Sequence, residues 1–136
     1  MARTTQQGFT LTELMITIAV VSVLISIAVP SYRQYVIRGK RSAAQSVMMD
    51  IANREQQFLL ANRAYADKAT LEANGYAVPA EVSENYTWEI DIDADGGPPG
   101  FTIMFTGTGT QAADNSPDPL TLTSSGEKGP PEKWKR

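Results

Sequence analysis

Cysteine and histidine are both absent from this chain of 136 residues. Without cysteine there is no disulfide and no thiolate metal site, so redox chemistry says nothing about the compartment. Without histidine there is no imidazole general base, no histidine-based catalytic triad and no histidine metal cluster. A glycine-rich phosphate loop and a nucleophile elbow are missing as well. We therefore expect a protein that is not an enzyme and that uses no cofactor.

An excess of basic charge is also missing. The chain has 12 Lys and Arg residues against 15 Asp and Glu residues, and its formal net charge is −3. Modules that bind nucleic acid normally carry a basic domain, so the composition argues against this class. Outside one long apolar run about 100 residues remain, enough for one small globular domain.

The apolar run extends from Phe9 to Val29 and contains a single charged residue, Glu13. As a helix it would reach roughly 30 Å, the thickness of a bilayer core. Its few Thr and Ser hydroxyls can bond back to helix carbonyls. The run therefore predicts a membrane-spanning helix.

Glu13 needs an explanation, because a carboxylate in such a helix costs on the order of 3 kcal/mol. No Lys or Arg lies between Phe9 and Pro30 to pair with it. A cut after Gly8 would give Phe9 a free ammonium group four residues before Glu13. That amine could pair with Glu13 of the same chain or of an adjacent subunit, and the second pairing would turn a membrane anchor into an assembly device.

The segment Gly8-Phe9-Thr10-Leu11-x-Glu13-Leu14, followed by the apolar run and Pro30, resembles the class III signal of type IV prepilins and pseudopilins. The resemblance implies that a prepilin peptidase cuts between Gly8 and Phe9 and methylates the new amine. It assigns to Glu13 the role of neutralising this amine of a neighbouring subunit. The implied partners are other pilin subunits in a helical filament, the peptidase, an inner-membrane assembly platform and membrane lipid.

Two features favour other interpretations. The small residues Ser26 and Ala28 would also suit an ordinary secretory signal peptide. By the positive-inside rule, the basic residues after the run place the C-terminal side in the cytoplasm. These residues are Arg33, Arg38, Lys40 and Arg41, against Arg3 before the run. The resemblance implies the opposite: a single-pass inner-membrane protein with a periplasmic C-terminal domain, which later becomes part of an extracellular pilus.

The basic residues after the run are most simply placed against lipid headgroups. Tyr32 and Tyr35 lie among them, so nucleic acid is an alternative partner that nothing else in the sequence supports. Pro30 removes a helix hydrogen bond at a cost of about 3 kcal/mol, and Gly39 weakens the helix by roughly 1 kcal/mol. Together they predict a kink, either a simple bend or a segment that unwinds in a filament.

The rest of the chain predicts an α+β pilin fold, in which the long helix packs on a small antiparallel sheet. Apolar residues recur at helical spacing at Ala44, Val47, Met48, Ile51, Ala52, Phe58 and Leu59. Alternating residues predict strands at 86–93, 101–106 and 120–123, separated by loops and followed by a turn at 125–129. The expected parts are a leader at 1–8, a membrane-spanning assembly segment at 9–29, an amphipathic second half of the helix at 30–62 and a globular domain at 63–136.

Two further segments resemble PilE-like minor pilins: residues 54–66 and the ending from Leu120 to Trp134. By that resemblance, cysteines usually precede the last strand and the tryptophan, where this chain has Pro117 or Asp118 and Lys133. A disulfide closing such a loop would add about 3 kcal/mol, so we expect a looser C-terminal loop or one stiffened by prolines.

These features predict a structural, minor subunit of a type IV pilus that supports twitching motility, cell adhesion or DNA uptake. The alternatives are a pseudopilin of a type II secretion system and a signal-anchored periplasmic domain that binds calcium. Asp91, Asp93 and Asp95 have the spacing that opens a calcium loop, but Thr102 stands where the loop needs a bidentate Glu. The three carboxylates are therefore only a weak candidate for calcium binding, and we expect no bound metal.

Overall fold

The computed structural model describes residues 8–93, 98–116 and 118–135. Contacts divide the chain into two compact units, Met1–Val36 and Ile37–Arg136. One helix, α1 (Leu11–Asn62), contributes to both units. Residues 1–7 of the predicted leader, Asp95 and Pro117 lie outside the described residues.

In the first unit, α1 exposes its apolar side chains on all sides. By length and composition this helix can cross a membrane. Hydroxyls donate to earlier carbonyls, as the sequence predicts: Thr17 to Glu13 at 2.7 Å, Ser22 to Ile18 at 2.7 Å and Ser26 to Val23 at 2.7 Å. The helix includes Pro30 and Gly39 without a break, and the kink at these residues remains a prediction.

The second unit contains a four-stranded antiparallel sheet in the order β1-β2-β3-β4. Its strands are β1 (Tyr86–Asp93), β2 (Gly100–Gly107), β3 (Leu120–Thr123) and β4 (Lys128–Gly129). Helix and sheet together confirm the predicted α+β pilin-like fold. The sequence predicts a turn in place of β4, because two residues are too few to show an alternating pattern.

The core forms between the second half of α1 and one face of the sheet. Ala44, Met48 and Ile51 are fully buried, as the apolar stripe predicts. On the strands, inward residues alternate with outward ones and supply the aromatic part of the core, which includes Tyr86, Trp88, Phe101 and Phe105. Burying side chains of this size removes large apolar areas from water and holds the helix against the sheet.

Short elements connect these parts. The helix α2 (Lys68–Ala73) follows α1, and Asp67 caps it by accepting a hydrogen bond from the Thr70 N–H at 2.8 Å. The helix α3 (Ala80–Ser83) and two 3₁₀ turns, Gly109–Asn115 and Pro131–Lys133, lie in segments without helical periodicity. The two 3₁₀ turns bring polar residues of the loop and of the tail next to α1.

Candidate functional site

The predicted cleavage point lies just ahead of the helix. Gly8, Phe9 and Thr10 are not helical, and α1 begins at Leu11. The Phe9 side chain is 90% exposed. The peptide bond between Gly8 and Phe9 therefore lies outside regular structure, on an accessible segment next to the apolar helix.

Thr10 and Glu13 form a capping box at this end of the helix. Glu13 Oε2 accepts hydrogen bonds from the Thr10 backbone N–H and from the Thr10 hydroxyl, both at 2.9 Å. The Glu13 N–H donates to Thr10 Oγ1 at 3.2 Å. Such a box satisfies backbone N–H groups that no helix carbonyl reaches, and a negative charge is favourable at a helix N-terminus. Glu13 therefore has a partner within its own chain.

The pattern that produces this cap is visible in the sequence. Thr10-x-x-Glu13 ahead of an apolar run is the capping-box pattern. Charge alone does not indicate this cap, because Thr10 is neutral. Both hydrogen bonds to the carboxylate use Oε2, so Oε1 can accept a hydrogen bond from an amine while the cap is in place. Capping and pairing with a neighbour's amine are therefore compatible roles for Glu13.

The second unit carries a groove of about 480 Å³, here named the basic groove. Its helix wall consists of Arg38, Arg41, Ser42, Gln45, Ser46 and Met49 of α1. Its tail wall consists of Lys128, Lys133, Trp134 and Lys135. Five of these residues are basic, and none of the described lining residues is acidic. The groove concentrates positive charge in a chain whose net charge is negative.

The five basic side chains fall into two groups. Arg38, Lys128 and Lys135 are exposed, and the Lys128 ammonium lies 5.2 Å from the centre of the Trp134 ring. Arg41 and Lys133 instead contact Asp114 beneath the groove. Three cations therefore remain available to an anionic ligand.

Asp114 is the buried acidic centre beneath the groove. Its carboxylate accepts hydrogen bonds from Arg41 Nε at 2.8 Å and from the Tyr86 hydroxyl at 2.7 Å. Burial and the hydrogen bond to Asp114 raise the pKa of the Tyr86 hydroxyl above its ordinary value. Burial lowers the pKa of the Lys133 ammonium, although the charge of Asp114 opposes this effect. Tyr86 therefore stays protonated and serves as a donor at neutral pH.

The structure separates the basic residues that follow the apolar run. Lys40 donates to the Asn85 side chain at 2.6 Å, and Arg41 pairs with Asp114. Arg38 joins the basic groove, while Arg33 lies in the first unit. No local sequence pattern connects the groove's two walls, because Gln45 and Lys133 are 88 positions apart.

The weak calcium candidates remain untested as a set. Asp91 and Asp93 are exposed on the outer face of β1, and Asp95 lies outside the described residues. Within the described ranges, no group of three or more acidic side chains is arranged to hold a metal ion. The geometry therefore favours the basic groove over β1 as a ligand site in the second unit.

Two known protein families together match most of the chain. Residues 30–121 match the family described as "Type IV minor pilin ComP, DNA uptake sequence receptor". Residues 3–29 match the family described as "Prokaryotic N-terminal methylation motif". The helix wall of the basic groove lies inside the first match, and the tail wall lies beyond it.

Several known proteins are similar to this chain. The fimbrial protein EcpC of Eikenella corrodens is 32% identical over 111 residues, which cover 80% of this chain and 69% of that protein. The type IV major pilin protein PilE1 of Neisseria gonorrhoeae is 30% identical over 89 residues, 65% of this chain and 53% of that protein. A fimbrial protein of Pseudomonas aeruginosa is 32% identical over 73 residues, 54% of this chain and 47% of that protein. The chain therefore matches only about half of the last two relatives. No solved structure matches the chain.

Proposed function

Because this chain belongs to the type IV pilins, in the family described as Type IV minor pilin ComP, we propose that it is a minor subunit assembled into a type IV pilus through its N-terminal helix. The observation that carries the proposal is the exposed apolar first part of α1. A helix that is apolar on all sides must be surrounded by lipid or by other apolar helices. The inner membrane and the centre of a filament supply these two surroundings in turn.

In the proposed sequence of events, prepilin peptidase cuts between Gly8 and Phe9 and methylates the new amine. The methylated amine of Phe9 remains an ammonium group and pairs with Glu13 of a neighbouring subunit. Oε1 of Glu13 would accept this hydrogen bond, while Oε2 keeps its bonds to Thr10. An ion pair in apolar surroundings is favourable relative to two unpaired charges, so it would favour insertion next to another subunit.

Glu13→Ala tests this pairing, with Thr10→Ala as the matched control. Glu13→Ala removes both the cap and the ionic partner, whereas Thr10→Ala weakens the cap by about 1 kcal/mol and keeps the carboxylate. We expect both variants to be processed. Glu13→Ala should be strongly depleted in sheared filaments by immunoblot, and Thr10→Ala should enter them at close to the wild-type level. Wild-type incorporation of Glu13→Ala, or equal depletion of both variants, would contradict the pairing.

We propose a pilus rather than a secretion system as the destination, since the known relatives are named fimbrial or pilin proteins. Motility, adhesion and DNA uptake all use such fibres. Among these roles, the basic groove supports DNA uptake.

DNA binding is the second proposed function, supported by the basic groove and by the family description of a DNA uptake sequence receptor. Three exposed cations, Arg38, Lys128 and Lys135, line one groove in which no described lining residue is acidic. Lys and Arg side chains bind DNA chiefly through phosphates, and each contact releases counterions. A local cluster of this kind allows an acidic protein to bind DNA.

The salt dependence of binding tests the DNA proposal. With the full-length chain in detergent and a fluorescently labelled duplex, three phosphate contacts predict a slope of log K against log salt of about −2.7. Arg38→Gln should make the slope shallower by about 0.9. Arg63→Gln, an exposed arginine outside the groove, should leave it unchanged. A slope near zero, or equal effects of the two variants, would contradict binding in this groove.

A further inference from the structure

Lys133 lines the basic groove, yet its ammonium group is committed to the protein interior. The residue is only 7% exposed. Its Nζ donates to the backbone carbonyls of Asp114 and Asp118, the latter at 2.7 Å. A buried ammonium needs acceptors to offset its loss of hydration, and these carbonyls supply them. Lys133 therefore has a different role from the exposed lysines at positions 128 and 135.

These contacts close the C-terminal loop. Lys133 and Asp118 are 15 positions apart, and the ammonium bridges them across the end of the first 3₁₀ turn. The chain has no cysteine that could bridge the same segments. The second bond, to Asp114, attaches the tail to the residue that also pairs with Arg41 of α1.

The tail is held at three further points. Gln45 Nε2 of α1 donates to the Lys133 carbonyl at 2.9 Å. The Trp134 indole N–H donates to the Gly129 carbonyl at 3.0 Å. Lys128 lies over the Trp134 ring. Because these contacts meet at Lys133 and the residue after it, the position of the whole tail wall depends on this segment.

We propose that Lys133 is a positioning residue, whose buried ammonium bridges Asp114 and Asp118 and thereby holds the tail as one wall of the basic groove. Lys133 does not contact the anionic ligand. It fixes the segment that presents Lys128 and Lys135 opposite Arg38, so that these three side chains need little ordering when a ligand binds. The part of this proposal that concerns a ligand rests on the proposed DNA binding, whereas the part that concerns the loop does not.

Lys133→Met and Lys135→Met separate a positioning residue from a phosphate ligand. In the full-length chain without DNA, Lys133→Met should speed hydrogen exchange at the Gln111 amide, which donates to the Thr108 carbonyl, by about tenfold or more. Lys135→Met should leave this exchange unchanged. With the labelled duplex, Lys133→Met should lower affinity by about tenfold at unchanged salt slope, because the phosphate contacts remain but the tail must be ordered on binding. Lys135→Met should reduce the slope by about 0.9.

Two results would overturn the proposal. In the first, Lys133→Met reduces the salt slope as Lys135→Met does and leaves exchange unchanged, which would make Lys133 a phosphate ligand. In the second, Lys133→Met changes neither exchange nor affinity. A wild-type chain that binds no duplex would contradict the DNA proposal alone, since exchange is measured without DNA.

Gln45→Ala provides a second variant in case Lys133→Met does not fold. It removes one neutral hydrogen bond between the two walls and leaves every charge in place. We expect faster exchange at the Trp134 amide, which donates to the Pro131 carbonyl, and weaker DNA binding at an unchanged salt slope. Wild-type exchange and affinity in this variant would overturn the role of the tail contacts.

Discussion

Two glutamates on α1 show how a side chain acquires a partner that composition does not reveal. Glu13 is bonded to Thr10 in a capping box, although the apolar run contains no basic residue. Glu55 is fully buried and accepts a hydrogen bond from the Ala66 N–H at 2.8 Å. The first partner follows from a local sequence pattern. The second depends on how the chain turns after the helix ends, so sequence spacing alone did not reveal it.

Because Glu55 is buried, we expect the free energy of unfolding to depend on pH through its carboxyl group. Burial raises its pKa above 4.5, the charge of Asp67 adds to this effect, and the Ala66 N–H opposes it. Between the ordinary and the raised pKa, the folded state holds a proton that the unfolded chain has lost. This group therefore makes the protein less stable as pH rises through that window, and its effect is constant at higher pH.

Glu55→Gln should remove this pH-dependent part of the stability, because an amide does not ionise. The amide oxygen can still accept the hydrogen bond from the Ala66 N–H. We expect the variant to be more stable than the wild type at about pH 8, and the difference to shrink as pH falls toward about 4. Urea unfolding followed by Trp88 and Trp134 fluorescence would measure it. A difference between the two proteins that does not depend on pH would contradict the assignment to Glu55.

Among the elements, periodicity predicted the long helix, its buried stripe and the strands β1, β2 and β3. It succeeded because one face of each of these elements is buried over several residues. It did not predict β4 or the 3₁₀ turns, which are too short to show a period. It also did not predict the basic groove, whose walls meet only because β3, β4 and the tail turn back toward α1. Contacts between distant segments carry no local signal.

Because Asp114 links these distant segments, we expect its substitution to lower the free energy of unfolding strongly. Asp114→Ala would leave Arg41 and the buried Tyr86 hydroxyl without their common acceptor. Removing one member of a buried pair typically costs about 3 kcal/mol or more in free energy of unfolding. Asp91→Ala, on the exposed face of β1, should change it by less than about 0.5 kcal/mol. Denaturant unfolding would compare the two, and equally small effects would contradict a structural role for the Asp114 network.

In the molecule as a whole, the two units have surfaces that suit different surroundings. The first exposes apolar side chains along a helix, and its Thr17 and Ser22 hydroxyls donate to carbonyls of the same helix. The second has a buried core and carries the basic groove. Such a division suits a subunit whose helix is surrounded by lipid or by other helices while its domain remains in water. Net charge could not indicate the groove, because it averages over both units.

The central claim is that the chain is matured at its N-terminus before its helix enters a filament. The intact mass of the protein purified from cells tests this claim most directly. We expect a chain that begins at Phe9 and carries one added methyl group. A mature protein that retains residues 1–8, or that begins after Ala28, would contradict it.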